Sequence, residues 1–320
     1  MRSALVSSAL LVVLCTSGSA HSTQALGEEG KAASHCAKAA GERTGDKQAT
    51  ANLIRIPVSV TDQAGSSVPN LTAEDFTITE DARLQQVCGL ATDDTAWTIG
   101  FVLDNSGSTG KQLSWELGSI AAFLKFANPQ NQYFVVGTSP VRLIADFMPL
   151  SEQLAAALRA VQPGYRTALL DAIHLSVDKM KAARYSRRAL IVISDAGDNS
   201  SAHSESDVRS ALLRSSVQVY FVGNPNWDSQ AIELRVAIRE IQEFTRETGG
   251  VMMPVRNAEE FAQAGAAISA LLRHQYLLSY DSDNPRADGK WRKVKVKLSP
   301  KPGLPHATLY APAGYYEPAP

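Results

Sequence analysis

Five residues in three separate stretches carry side-chain oxygens at spacings that suit a metal ion. Asp104-Asn105-Ser106-Gly107-Ser108 sets a carboxylate and two hydroxyls at alternate positions, and Gly107 lets the backbone turn tightly enough for the three oxygens to converge. Thr167 lies 63 residues after Asp104, at the end of Gly164-Tyr165-Arg166-Thr167, and Asp195 lies 28 residues further on. Two carboxylates and three hydroxyls make a hard, all-oxygen donor set suited to Mg2+, Mn2+ or Ca2+ and poorly suited to thiophilic ions. A six-coordinate ion on these ligands keeps waters or an open position. Each residue also has a plainer reading. Asp104 and Ser106 could cap the helix that follows, and Thr167 could cap a helix beginning at Ala168, with Asp171 favouring its dipole. Taken together, on three loops at one sheet edge, the five read better as a metal site. Asp198 and Asn199 read as turn formers and stay outside it.

For the five to meet, they must sit at the carboxyl ends of neighbouring parallel strands, where open α/β sheets bind ligands. Ile99-Gly100-Phe101-Val102-Leu103 is a continuous apolar run ending at Asp104, and Leu190-Ile191-Val192-Ile193 is a second ending at Ser194-Asp195; such runs are expected of strands covered on both faces. Between and after them the pattern alternates. Helices are expected near Leu113–Phe126, Glu152–Val161, Ala168–Arg184, Glu205–Arg214, Asp228–Glu247 and Ala258–Arg273, and strands at Tyr133–Gly137, Val141–Phe147 (an edge hairpin), Val217–Val222 and Val251–Val255. The fold class is therefore α/β over residues 96–274: a doubly wound, mostly parallel sheet with helices on both faces.

The flanks are β-rich. Ile54, Ile56, Val58 and Val60 alternate with polar neighbours, Phe76–Glu80 and Leu84–Val87 look like further strands, and Gln275–Tyr280, Trp291–Leu298 and His306–Tyr310 follow the α/β stretch. Residues 52–90 and 275–317 are each too short to bury a core alone, so they are expected to pair as one β-sandwich-like domain with the α/β domain inserted between them. Lys293, Lys295 and Lys297 alternate with apolar residues and read as a solvated strand face or a protected edge.

Asp104-x-Ser106-x-Ser108, Thr167 and Asp195 resemble the metal-ion-dependent adhesion site of von Willebrand factor type A domains in order, spacing and strand context, and Thr248-Gly249-Gly250 before the last short strand also looks like that family. More narrowly, residues 52–317 resemble the bacterial von Willebrand factor A-related proteins described from Acidobacteria, through Val58-Ser59-Val60-Thr61-Asp62, Leu71-Thr72-Ala73-Glu74-Asp75-Phe76 and Gly314-Tyr315-Tyr316. The resemblance implies that Asp104, Ser106, Ser108, Thr167 and Asp195 hold the ion directly or through water, and that an acidic side chain of a protein partner fills the vacant position. Ala196 departs from the family, which often carries Gly after the aspartate.

Composition narrows the setting. The 320 residues are 44% hydrophobic, enough for a core, and 31 Lys and Arg against 32 Asp and Glu leave a formal charge of −1, so nucleic acid is not an expected partner. The long apolar run, Ala9 to Cys15, falls far short of the roughly 20 residues that span a bilayer. Arg2, the apolar stretch Ala4–Cys15 and Gly18-Ser19-Ala20 read as a signal peptide over residues 1–20, followed by a leader over 21–50, which places the protein in a secreted or periplasmic setting. A lipid anchor on Cys15 is the second reading, because Leu14 precedes it where a small residue is needed. After cleavage Cys36 and Cys88 remain, and such a compartment permits a bridge between them. Rival chemistries fail on residue type. A phosphate-binding loop needs Gly at Asn105 and Ser or Thr at Gln112, a hydrolase elbow needs Gly at Asn105, and no H-E-x-x-H or Cys-His cluster supports zinc. His174 and His203 have no carboxylate orienter evident in the sequence. The expectation is a non-enzymatic binding module, with an envelope scaffold holding a structural ion as the alternative and a metal-dependent hydrolase third.

Overall fold

A computed structural model of the chain describes residues 53–92, 94–106, 112–225, 231–284, 288–300 and 306–317. The signal segment 1–20, the leader 21–50, Cys36 and Ser108 lie outside the described residues. The α/β unit runs through β5 (Thr98–Leu103), α1 (Leu113–Phe126), β6 (Gln132–Thr138), β7 (Val141–Pro149), α2 (Glu152–Arg159), α3 (Leu169–Met180), β8 (Arg188–Ile193), α4 (Glu205–Ser215), β9 (Gln218–Gly223), α5 (Ile232–Thr248), β10 (Met252–Pro254) and α6 (Ala258–Arg273). Its sheet has the order β10-β9-β8-β5-β6-β7, parallel throughout except for the β6–β7 hairpin at one edge.

All six residues of β5 are buried, and the alternation of a strand sends them to opposite faces. Ile99, Phe101 and Leu103 join Ile120 and Phe123 of α1 and Phe261 and Ile268 of α6 in one layer. Val102 joins Leu169, Ile173 and Val177 of α3, Val208 and Leu212 of α4, and Ile238 and Phe244 of α5 in the other. The two helices of the first layer approach closely at Gly265, where a Cβ would stand 2.0 Å from the Ser119 carbonyl oxygen; only a residue without a side chain fits there.

The flanking segments supply β1 (Leu53–Thr61), β2 (Phe76–Glu80), β3 (Arg83–Gln85) and β4 (Val87–Thr92) before the α/β unit, and β11 (Tyr276–Asp281), β12 (Trp291–Leu298), β13 (Thr308–Tyr310) and β14 (Gly314–Tyr316) after it. They form two four-stranded sheets, β13-β1-β11-β4 and β14-β12-β2-β3, and both sheets mix strands from the two ends of the chain. Ile56, Val58, Val60, Phe76 and Ile78 from one side and Tyr276, Leu278, Tyr280 and Val294 from the other make one core between them. The last residue of β4, Thr92, pairs with the first residue of β11, Tyr276. The α/β unit therefore leaves and re-enters the sandwich through adjacent strand ends, and the Arg273–Asp94 ion pair at 2.7 Å crosses that junction.

Three expectations change in detail. The strand expected at Leu84–Val87 is divided: β3 pairs with β2 in one sheet and β4 with β11 in the other, so the chain changes sheets at Gln86. Lys293, Lys295 and Lys297 are exposed on a strand that lies between β14 and β2, which makes them a solvated outer face and not an edge. Cys88 is disulfide-bonded; its expected partner, Cys36, lies outside the described residues.

Candidate metal centre

The site forms where β5 and β8 end side by side. Leu103 pairs with Ile193, and the Asp104 amide donates to the Ile193 carbonyl at 2.9 Å, so the loops carrying Asp104 and Asp195 start from neighbouring strands. Asp104 is fully buried. Its Oδ1 accepts the Thr138 hydroxyl at 2.9 Å and the Ser106 amide at 3.1 Å, and its Oδ2 accepts the Ser194 hydroxyl at 2.7 Å. Those bonds fix the carboxylate's orientation. Burial, joined by the charge of Asp195, raises the Asp104 carboxyl above its ordinary range against the pull of the Ser194 and Thr138 hydroxyls.

Asn105 staples the first loop to the second. Its Oδ1 accepts the amides of Thr138 and Ser139 at 3.1 and 3.0 Å, and its Nδ2 donates to the carbonyls of Ser139 and Gln162 at 2.8 and 2.9 Å. Its own carbonyl accepts the Gly164 amide at 2.6 Å. Gly164 has to be a glycine because a Cβ there would meet the Ser139 hydroxyl at 2.1 Å. Ser106 is buried beside Asp104, while Gly107 and Ser108 lie outside the described residues.

Thr167 is buried and tied to the third loop through its backbone. Its amide donates to Asn199 Oδ1 at 3.1 Å, and its carbonyl accepts the amides of Asn199 and Ser200 and the Ser200 hydroxyl. None of these bonds uses the Thr167 hydroxyl. The capping alternative is corrected here. The cap position of α3 is Ala168, with no side-chain bond, and the first amides of α3 are taken by Asp198 Oδ2, to Leu170 at 2.9 Å, and by the Ser201 hydroxyl, to Asp171 at 3.1 Å. Asp198 is thus more than a turn former. At α1 the cap position is Gln112, not Asp104 or Ser106. Asp195 is half-buried and accepts the Gly197 amide at 2.9 Å. Ala196 adopts the left-handed conformation, φ +69°, which a glycine would take without strain.

Three further residues near Asp104 are not singled out by the sequence reading. Thr138 and Ser194 hold Asp104, as above. The third is Glu116, one turn into α1, which is fully buried with neither carboxylate oxygen hydrogen-bonded. Burial first, then the charges of Asp104 and Asp195, push its carboxyl up to about 10. Its signal was available. Leu113, Ile120 and Phe123 share its buried helix face, and a glutamate in an apolar stripe is a mismatch that packing alone does not explain.

Among the described residues, no three His, Cys, Asp or Glu side chains gather closely enough to hold an ion by themselves, so a donor set here would have to draw on hydroxyl oxygens such as those of Ser106 and Thr167. The residues fit a hard divalent cation. The Glu116 carboxyl is buried without a hydrogen-bond partner among the described residues, a polar group that a cation would suit.

His174 and His203 do have carboxylate neighbours. Their rings stack at 3.9 Å, and His203 Nδ1 lies 2.7 Å from Asp171 Oδ1, while His174 Nδ1 lies 4.0 Å from Asp178 Oδ2. Asp171 also accepts the amides of Ala202 and His203, so this cluster pins the third loop to α3. A cavity of about 390 Å3 opens at the other end of the sheet, between the strands' amino ends and the sandwich, lined by Trp97, Arg187, Gln218 and Gln275 among others; no candidate metal ligand lines it.

No protein-family model and no curated protein matches the chain. Solved structures do. A von Willebrand factor type A structure from Catenulispora acidiphila is 11% identical over 83% of this chain and 75% of that one, with a TM-score of 0.48. An aerotolerance-related membrane protein from Bacteroides fragilis is 18% identical over 56% of this chain and 98% of that one, with a TM-score of 0.42. The SpRpn10 VWA domain is 10% identical over 53% and 93%, with a TM-score of 0.41. The chain resembles von Willebrand factor type A domains in fold. At these identities and scores the likeness says nothing of ligand or activity.

Proposed function

We propose that the protein is an exported, non-enzymatic binding module in which Asp104, Ser106, Ser108, Thr167 and Asp195 hold a divalent cation that engages an acidic side chain of a protein ligand. The observation that carries this reading is the unfinished polar interior at a single sheet edge. Asp195 and Glu116 make no ion pair among the described residues, both Glu116 carboxylate oxygens are buried without a hydrogen-bond partner there, and the Asp104 carboxylate is locked by Thr138 and Ser194. A bound Mg2+, Mn2+ or Ca2+ supplies the positive charge this edge lacks and a coordination position for an external carboxylate.

The chain's own residues do the rest. Thr138 and Ser194 keep Asp104 from rotating away, Asn105 holds the first two loops together, and Thr167 anchors the third through Asn199 and Ser200. At the rim, Tyr165 is 98% exposed beside exposed Arg166. Aromatic and guanidinium side chains of this kind supply a large share of binding energy at protein interfaces. Export is supported by the segment 1–20 and by the disulfide at Cys88.

The test is capture from the native envelope fraction in Mg2+ and in chelator, with wild type, Asp104→Ala and Tyr165→Ala immobilised in parallel. The wild type is expected to retain a specific protein in Mg2+ alone, Asp104→Ala to retain none, and Tyr165→Ala to bind at least about tenfold more weakly with an unchanged melting temperature. Chelator that lowers the melting temperature sharply while no Mg2+-dependent capture exists would instead support a structural ion.

A further inference from the structure

Glu116 is not one of the five donors, and its surroundings do not suit a structural role. It sits in the first turn of α1 on the buried face shared with Leu113, Ile120 and Phe123. It is fully buried and neither Oε1 nor Oε2 has a hydrogen-bond partner. α6 approaches the same helix at Gly265, where a Cβ would stand 2.0 Å from the Ser119 carbonyl oxygen. Three ways of satisfying such a group exist. A basic side chain is ruled out among the described residues, because no ion pair includes Glu116. A neutral acid, the form that burial favours in the ion-free chain, would donate its proton to an acceptor, and neither oxygen has a hydrogen-bond partner among the described residues. A cation would meet both oxygens, and the carboxylates whose charges act on Glu116 are Asp104 and Asp195, the acidic members of the candidate metal centre.

On the strength of the cation reading proposed above, we infer that Glu116 is a further acidic ligand of the site, reaching the ion through bound water from the core side, so that the centre carries three carboxylates. Asp104, Asp195 and Glu116 do not gather closely enough to hold an ion by direct contact alone, and hard cations of this class commonly keep waters between themselves and carboxylates. The position also has a consequence for packing. Without the ion, the protein carries a buried acid with nothing to meet it, so the group weakens the ion-free fold and strengthens the loaded one.

Those opposite effects define the test. Wild type, Glu116→Gln, Glu116→Met and Asp104→Ala are titrated calorimetrically with Mg2+ and with Mn2+ and melted in Mg2+ and in chelator. Glu116→Gln is expected to bind either ion at least about tenfold more weakly, to melt higher than wild type in chelator, and to gain less from Mg2+. Glu116→Met, which matches the apolar stripe and guards against a folding failure of the amide, is expected to do the same. Wild-type affinity in both Glu116 variants, alongside loss of binding in Asp104→Ala, would overturn the Glu116 assignment and leave the five-residue site intact. A wild type that binds neither ion would overturn the site itself and this assignment with it.

Discussion

The sandwich and the α/β unit each bury a glutamate and surround it differently. In the sandwich, Glu80 receives the Tyr280 hydroxyl at 2.7 Å and the Tyr315 hydroxyl at 3.0 Å on Oε2, and the Ser282 hydroxyl at 2.7 Å on Oε1. Those donors come from β11, from the turn that follows it and from β14, so the network ties the carboxyl-terminal strands to β2. The tyrosines respond in turn: burial, reinforced by Glu80, holds the hydroxyls of Tyr280 and Tyr315 protonated well above the ordinary range. Glu116 in the α/β unit has no donor among the described residues. A buried acid with its full complement of donors is a finished piece of structure. One without any among the described residues is left with its polar oxygens unmet.

The largest expected effect breaks the finished side. Glu80→Ala leaves two buried hydroxyls, of Tyr280 and Ser282, and the half-buried one of Tyr315 without their acceptor and is expected to cost about 3 kcal/mol of stability, by the same amount in Mg2+ and in chelator, as read by denaturant melts. A cation-dependent loss would show that the two buried acids are not of different kinds.

The unfinished side is sharpened by pH. Glu116 holds its proton up to about 10 in the folded chain against 4.5 ordinarily, so between those values the folded state binds more protons than the unfolded one. By linkage the ion-free protein then loses stability as pH rises. In chelator the melting temperature is expected to fall from pH 5 to pH 9, with a shallower slope in Glu116→Gln and in saturating Mg2+. An identical slope in wild type and Glu116→Gln would remove Glu116 from the account of that behaviour.

Much of this architecture is legible in the sequence, because local pattern and tertiary burial agree. The apolar stripe of α1 and that of α6, which is capped by Asn257 on the Glu260 amide, set the same limits in sequence and structure, Leu113–Phe126 and Ala258–Arg273. Where tertiary contacts decide, the pattern gives out. The division between β3 and β4 depends on which sheet each strand joins, and nothing local marks it. The helix expected to run to Arg184 stops at Met180 because the chain turns to place the Tyr185 amide on the Thr98 hydroxyl and the Arg187 guanidinium over the Trp97 ring, 4.4 Å from its centroid.

The site divides in the same way. Asp104, Thr167 and Asp195 stand out by residue type at strand ends and loop turns. Thr138 and Ser194 are ordinary residues until the fold brings their hydroxyls to Asp104, and Asp198 gains its role at α3 only across 28 residues of chain. Ala196 carries a conformation, φ +69°, that the sequence flagged only as a missing glycine.

The central claim, that the loops after β5 and β8 and the one before α3 form a cation site, is tested most directly by calorimetric titration of Mg2+, Mn2+ and Ca2+ into wild type, Asp104→Ala and Thr167→Ala. Asp104→Ala removes a ligand and one of the two carboxylates in the five-residue donor set, so it is expected to abolish binding while the circular dichroism of the fold is retained. Thr167→Ala removes a neutral ligand whose hydroxyl caps no helix, so it is expected to weaken binding without abolishing it. Equal ion affinity in all three proteins would contradict the account.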